Sequence, residues 1–336
     1  MELSHALQQV KSGGVLQRAE AHAVFAGLLE REFATWELVD LLIALAARGE
    51  TPAEIAGAAD ALRERMIVFE HDAVDAIDTC GTGGDGLRSF NISTAAAIVA
   101  AAAGARVVKH GNRSQSSRCG SADLLEAAGI PLDLPADRAR ACLDKAGITF
   151  LFAPTAHPLL ARVAPVRKAL GIRTLFNYLG PLCNPGRVRR QLLGVPEARR
   201  VAPMADALRE LGHERAYVVH GAGGADELMP GLDNVVHAVG DLPAWDSAAH
   251  RAFRASAPQD LRGGDARHNL AILTRLLDGA VGPVRDAVVL NAGAALVVAG
   301  VAAAPEDGLA RADAAIAEGR ARTTMDRWIA TARGGV

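Results

Sequence analysis

From about residue 73 onward the chain alternates short apolar runs with longer stretches of helical periodicity, and few folds accept that pattern. Ala76-Ile77 leads into a glycine-rich turn at 80–86, residues 92–103 read as helix, and 105–108 read as strand. Residues 135–146 are helical again, and the apolar run 148–152 has the look of a buried strand. The alternation returns with a helix at 198–211 and a strand at 216–219, and long helices close the chain near 265–278, 283–300 and 306–333. Strands separated by helices need crossover connections, so the expected fold class is α/β: a large domain with a mostly parallel sheet flanked by helices.

The residues before this region read differently. Leu3, Leu7 and Val10 share one helical face, Val24, Phe25 and Leu28 another, and Trp36, Val39, Leu42, Ile43 and Ala46 repeat the spacing up to Gly49. Thr51-Pro52 then has the form of a cap and first turn of a new helix. These features predict a small all-helical domain over 1–70. A helical excursion at 158–170 is expected to return to it, so the small domain takes in part of 157–195. The large domain is then 71–156 and 196–336.

Composition narrows the function classes. The chain has 36 Lys and Arg against 38 Asp and Glu, which gives a net charge of −2 and no basic face for nucleic acid. Half the residues are hydrophobic but only 4% are aromatic, so Ala, Val and Leu must build the core. The stretch 287–305 is free of charge for 19 residues, yet it carries Asn291 and ends in proline; a buried core helix is expected, and no membrane span. MELSHALQQV has neither a basic nor an apolar leader segment. Cys80, Cys119, Cys142 and Cys183 form no CxxC pair, which predicts reduced thiols and a cytoplasmic protein.

Three polar loops carry the chemistry. The first, Asp78-Thr79-Cys80-Gly81-Thr82-Gly83-Gly84-Asp85-Gly86, joins a strand to a helix, where backbone N–H groups can face an anion. Gly81, Gly83 and Gly86 also match the dinucleotide pattern, but the next strand ends in Lys109-His110 and not in the acid that holds a ribose hydroxyl. A phosphate loop, a dinucleotide loop and a ligand-free turn all remain open on this segment alone, the first being favoured. Asn91-Ile92-Ser93-Thr94 then opens the helix, either as simple caps or as hydroxyls facing phosphate and metal. The second loop, 109–118, is an unbroken run of donors suited to several phosphate groups. The third, 220–227, ends in Asp226-Glu227, which on a glycine-rich rim could hold magnesium. Arg167 sits on a largely apolar helix, either as a snorkelling surface residue or as a clamp for a carboxylate.

Taken together, DTCGTGGDG, FNIST, KHGNRSQSS with GSADLLEA, HPLLARVAPVRKALGIRTLFNYLGPLCNP, VVHGAGGADEL and RGGDARHN occur in one order over about 75–275. In that set the chain resembles the anthranilate phosphoribosyltransferase family, within the nucleoside phosphorylase and phosphoribosyltransferase class. The resemblance implies transfer of the phosphoribosyl group of 5-phosphoribosyl 1-diphosphate to the amine of anthranilate, in tryptophan biosynthesis, by a homodimer using two magnesium ions per monomer. It implies that Gly81, Gly84, Asp85, Ser89, Asn91, Ile92, Ser93, Thr94, Lys109 and Ser121 hold the phosphoribosyl diphosphate. His110, Gly111, Asn112, Arg113, Ser114, Gln115, Ser116 and Ser117 would close over it. Ser93, Asp226 and Glu227 would ligate magnesium. Gly81, Asn112 and Arg167 would meet anthranilate, with His110 and Pro181 lining its approach, while Lys109 and Arg167 would act electrostatically. One departure stands out: Leu228-Met229-Pro230 follows Glu227 where a small hydroxyl residue is expected.

Overall fold

Thr51 and Glu54 show how the N-terminal helices are set. Thr51 Oγ1 accepts from the Glu54 N–H, and the Glu54 carboxylate accepts from the Thr51 N–H at 2.8 Å, with Pro52 in the first turn. Glu54 is fully buried and also takes the Leu16 N–H at 2.9 Å, so its charge is met by several donors. The computed structural model describes residues 1–114, 117–245, 249 and 253–335. Its first four helices are α1 (Leu3–Lys11), α2 (Arg18–Glu30), α3 (Thr35–Arg48) and α4 (Pro52–Arg63).

The α/β part begins with β1 (Ile77–Gly81), α5 (Ile92–Ala102), β2 (Val107–Gly111), α6 (Ser121–Ala127), α7 (Ala136–Ala146) and β3 (Ile148–Phe152). The excursion follows as α8 (Ala153–Ala156), a 3-10 turn at Pro158–Arg162, α9 (Ala164–Leu170) and α10 (Leu175–Leu182). The helix expected over 158–170 is therefore broken, with Pro165 opening its second part. Then come β4 (Arg190–Gly194), α11 (Val201–Glu210), β5 (Arg215–His220) and β6 (Val235–Val239). The chain ends with α12 (Ala266–Leu277), α13 (Pro283–Ala299), α14 (Pro305–Ala317) and α15 (Arg320–Ala332). The helix expected over 306–333 is thus two helices, parted at Gly319, whose φ of 71° ends the first one.

The described strands form one six-stranded sheet in the order β3-β2-β1-β4-β5-β6. β1 to β5 run parallel, and β6 lies antiparallel on β5. β4 and β6 are absent from the sequence expectations, although β4 pairs with both β1 and β5. Alternation along β5 divides the sheet between two cores. Tyr217 and Val219 face a core built with α5 and the C-terminal helices. Ala216 and Val218 face one that continues through α11 and α10 into α1–α4. The excursion does pack on the N-terminal helices: Phe176 of α10 meets Phe25 of α2 edge-on, with ring centroids 5.6 Å apart.

The uncharged stretch is a buried helix, as expected. Residues 287–299 of α13 are all buried, and Asn291 is satisfied there by the Leu228 N–H at 3.0 Å and by the carbonyls of Leu228 and Ala287. Among the described residues no helix is long and apolar enough to cross a membrane. Asn291 also holds the backbone where the sequence departs after Glu227. Leu228 and Met229 are fully buried, so the chain turns into the core at once, where a hydroxyl would need a partner of its own.

Candidate active site

The parallel strands all point their C-terminal ends at one rim. β1 connects onward to β2 and β3 on one side, while β4 leads to β5 on the other, so the β1–β4 boundary is a topological switch point. There the segment carrying Asp226 crosses the strand ends. A Cβ on Gly81 or on Gly194 would strike Asp226, and one on Gly221 would strike the Glu227 carbonyl. Those glycines let two carboxylates lie flat on the sheet's edge.

These carboxylates sit in an unfavourable setting. Asp226 accepts the Gly83 N–H at 2.7 Å, and burial together with Asp85 pushes its carboxyl up to about 6. Glu227, buried beside Asp226 and Asp85, is held well above the usual carboxylate range, and its Oε1 has no hydrogen-bond partner. Crowded buried acids call for a cation. Among the described residues no three His, Cys, Asp or Glu side chains converge on a point, so a cation here would take two carboxylates and complete its shell with water or substrate oxygen. That hard-oxygen, partly open donor set fits magnesium.

On the β2 side, Lys109 is buried, and its Nζ donates to the Thr79 carbonyl and, at 3.4 Å, to Ser93 Oγ. Burial lowers its pKa while the buried Asp78 opposes that shift. Burial in turn pushes Asp78 up to about 6, although Asn184 donates to it at 2.8 Å. His110 Nδ1 donates to the Gly180 carbonyl at 3.1 Å, and its ring lies 5.1 Å from that of His157. Burial and His157 push His110 down to about 3, so the imidazole is neutral and its buried Nε2, with no protein partner, is left as an acceptor.

A single cleft of about 650 Å³ is lined by every described residue that the resemblance assigned to a ligand, from Gly81 to Glu227 and including Arg167 and Pro181. Gln115 and Ser116 lie outside the described residues. The residues differ in what they leave free. The Thr94 hydroxyl is buried without a partner. Asn91 is engaged at both ends of its amide, donating to the Cys119 carbonyl at 3.0 Å and accepting from Asn269 at 2.8 Å. Ile92 packs in the core, so only its backbone can face a ligand. Thr82 N–H is taken by the Gly194 carbonyl and Gly83 N–H by Asp226, which removes two amides from the expected anion cradle. Ser89 bonds Glu227. Ser121 donates to the Asn112 carbonyl at 3.3 Å, and Ser114 to the Ser117 carbonyl at 2.7 Å. Arg113 is turned onto α6, where it pairs with Glu126 at 2.7 Å and Asp123 at 3.0 Å.

Arg167 enters from the helical wall. Its guanidinium carbon lies 5.2 Å from the Phe176 ring centre, burial lowers its pKa, and among the described residues no carboxylate pairs with it. Asp78, His157 and Arg173 also line or underlie this cleft and were not assigned from the sequence. Each stands inside a segment already quoted, but as one letter without a pattern of its own.

The matching family models agree with this two-part design. Residues 4–66 match a glycosyl transferase family helical bundle domain, and residues 73–322 match a glycosyl transferase family a/b domain. Fold and cleft thus define a glycosyl transferase. Among curated relatives, anthranilate phosphoribosyltransferase 2 of Streptomyces coelicolor is 48% identical over 93% of this chain and 94% of its own length. The enzyme of that name from Methylobacterium nodulans is 47% identical over 96% of this chain and 97% of its own. The crystal structure of anthranilate phosphoribosyltransferase from Thermus thermophilus superposes with a TM-score of 0.90 at 41% identity, covering 98% of this chain and 99% of that one. The chain belongs to the anthranilate phosphoribosyltransferase family. The Saccharomyces cerevisiae enzyme, whose structure is a complex with PRPP and Mg, shares the fold at a TM-score of 0.87 and 23% identity over 98% of each chain.

Proposed function

We propose that this chain transfers the phosphoribosyl group of 5-phosphoribosyl 1-diphosphate to the amine of anthranilate, giving N-(5-phosphoribosyl)anthranilate and diphosphate, a step of tryptophan biosynthesis. The observation that carries this reading is one cleft with two chemically opposite walls. Buried acids lie on the sheet rim, and an arginine with no carboxylate partner among the described residues lies on the helical wall. The first wall suits a metal-bound diphosphate and the second an aromatic acid.

The aryl amine of anthranilate is neutral near pH 7 and already nucleophilic, so the demanding event is departure of diphosphate from C1 of the ribose. Asp226, Glu227 and the Ser93 hydroxyl would hold two magnesium ions, which would neutralise charge on the leaving diphosphate. Lys109, buried among the strand ends, adds a fixed positive charge in a region of low dielectric. Thr94 offers an unengaged hydroxyl to phosphate oxygen. Arg167 holds the anthranilate carboxylate through a two-donor fork beside Phe176, and Asn112 orients the ring. His110, kept neutral by burial, accepts a hydrogen bond from the amine at Nε2 and so aims its lone pair at C1. The C1–oxygen bond breaks as the nitrogen–C1 bond forms, the electron pair leaves with diphosphate, and the nitrogen then gives up one proton to diphosphate oxygen or water. Closing the 109–118 loop and the hinge between a 1–70 helical domain (with part of 157–195) and the remainder (71–156 and 196–336) would exclude water. The same reading includes a cytoplasmic homodimer.

Calorimetry separates this function from dinucleotide binding. Phosphoribosyl diphosphate with magnesium should bind, while NAD and NADP should give no heat. Tight NAD binding, with none for phosphoribosyl diphosphate, would return the glycine-rich loop to the dinucleotide reading.

A further inference from the structure

We propose that Arg173 is a positioning residue for the phosphate loop, a role that rests on the phosphoribosyl transfer described above. Arg173 lies between α9 and α10, six residues after Arg167, and so belongs to the helical wall. Its guanidinium nevertheless reaches the sheet rim. Nη1 donates to the Gly83 carbonyl, and Nη2 donates to Thr82 Oγ1 at 3.0 Å. The side chain is braced on the way across. Tyr178 stands with its ring centre 5.7 Å from the guanidinium carbon, and a Glu197 carboxylate oxygen is 3.7 Å from Nε.

The residue it grips is held from the opposite side as well. Gly83 donates its N–H to Asp226 at 2.7 Å while its carbonyl accepts from Arg173. Gly83 is thus fixed between a cation on one wall and a proposed metal ligand on the other. Gly84 is shaped around the same contact, since at a φ of 76° a Cβ there would run into Nη1. The Gly83 N–H and carbonyl belong to the two peptide groups on either side of its Cα, so the two bonds together fix the orientation of both groups. Without Arg173 the Gly83 carbonyl is free to turn, which changes the direction of the following amides and loosens the hold on Asp226. The effect belongs to the diphosphate end of the cleft. An arginine that merely tied two layers together would lower thermal stability and leave both substrate affinities alone.

The test is initial-rate kinetics in both substrates for wild type, Arg173→Gln, Arg173→Lys, Thr82→Val and the Arg173→Gln/Thr82→Val double variant. Arg173→Gln should raise the KM for phosphoribosyl diphosphate about tenfold or more, the effect of losing charge-assisted hydrogen bonds, with the anthranilate KM within about threefold of wild type. Arg173→Lys keeps the charge without the fork and should fall between the two. Adding Thr82→Val to Arg173→Gln should raise the KM little further, because the bond they share is already gone. Unchanged KM values in Arg173→Gln, equal rises in both, or fully additive losses in the double variant would overturn the assignment. If Arg173→Gln does not fold, Arg173→Lys decides: a selective rise for phosphoribosyl diphosphate supports the role, and an unchanged value overturns it. Wild-type protein without any transfer activity would instead overturn the underlying function.

Discussion

Arg167 and the Asp226-Glu227 pair share one difficulty, which is charge kept in a partly dry place without a full set of protein partners. Burial lowers the pKa of Arg167 and raises those of both acids. Each shift is a cost that a ligand of opposite sign removes. Arg167→Ala should therefore raise the KM for anthranilate on the order of tenfold to a hundredfold, the value of a charged hydrogen bond of about 1.5–3 kcal/mol. Its KM for phosphoribosyl diphosphate should change little, because the site proposed for that substrate lies on the sheet rim. Steady-state kinetics checks this, and equal rises in both values would reduce Arg167 to a packing partner of Phe176. At this scale the site was largely legible in the sequence, since the polar loops at strand ends were bound to converge on one rim. Arg173 and Asp78 were not. Their roles come from where a side chain crosses a cleft or hides under a strand, and local spacing carries no trace of either.

The elements divide in the same way. β3 is four-fifths apolar and stood out as a strand, whereas β4 begins Arg190-Gln191 and offers only Leu192 and Leu193 before Gly194. β4 owes its place to its neighbours: Leu192 faces one core, Leu193 the other, and Gln191 donates to the Pro181 carbonyl at 2.7 Å. β6 is an edge strand with half-exposed residues, so its pattern is weak as well. The turn between α11 and β5 provides a pH test away from the cleft. His213 is pushed down to about 4 by burial, with Arg63 adding to the shift, so the folded state holds it neutral. The unfolded chain takes up a proton there below about 6.5 and the folded one does not, so stability is present above that pH and is lost as pH falls toward about 4. Since the ring is partly exposed, the contribution is on the order of 1–2 kcal/mol. Melting temperatures at pH 7.5 and 4.5 should converge in His213→Gln relative to wild type. An identical acid-induced drop in both proteins would show that His213 is already protonated in the fold.

Across the whole molecule, the sheet is a wall between two cores, and the helical N-terminal part is continuous with one of them. The sequence marked the two-part division through its change of periodicity near residue 73, but not this continuity, which depends on α10 and α11 packing against α4. Glu50 and Arg200 are both buried and paired at 2.5 Å, tying the α3–α4 connection to the start of α11. α3 leaves Trp36 and Ile43 exposed, 62% and 44% respectively, one above the other at helical spacing. The cleft opens between helical wall and sheet rim, so substrates of different chemistry meet where the two parts face each other. The most direct test follows anthranilate fluorescence with phosphoribosyl diphosphate and magnesium, comparing wild type with Asp226→Asn/Glu227→Gln. The account predicts a steady loss of signal in the wild type that needs both phosphoribosyl diphosphate and magnesium. It predicts a rate lower by at least about a hundredfold in the folded double variant, the scale expected when charge stabilisation at the leaving group is removed. No loss in the wild type, or a double variant as active as wild type at the same magnesium concentration, would contradict it.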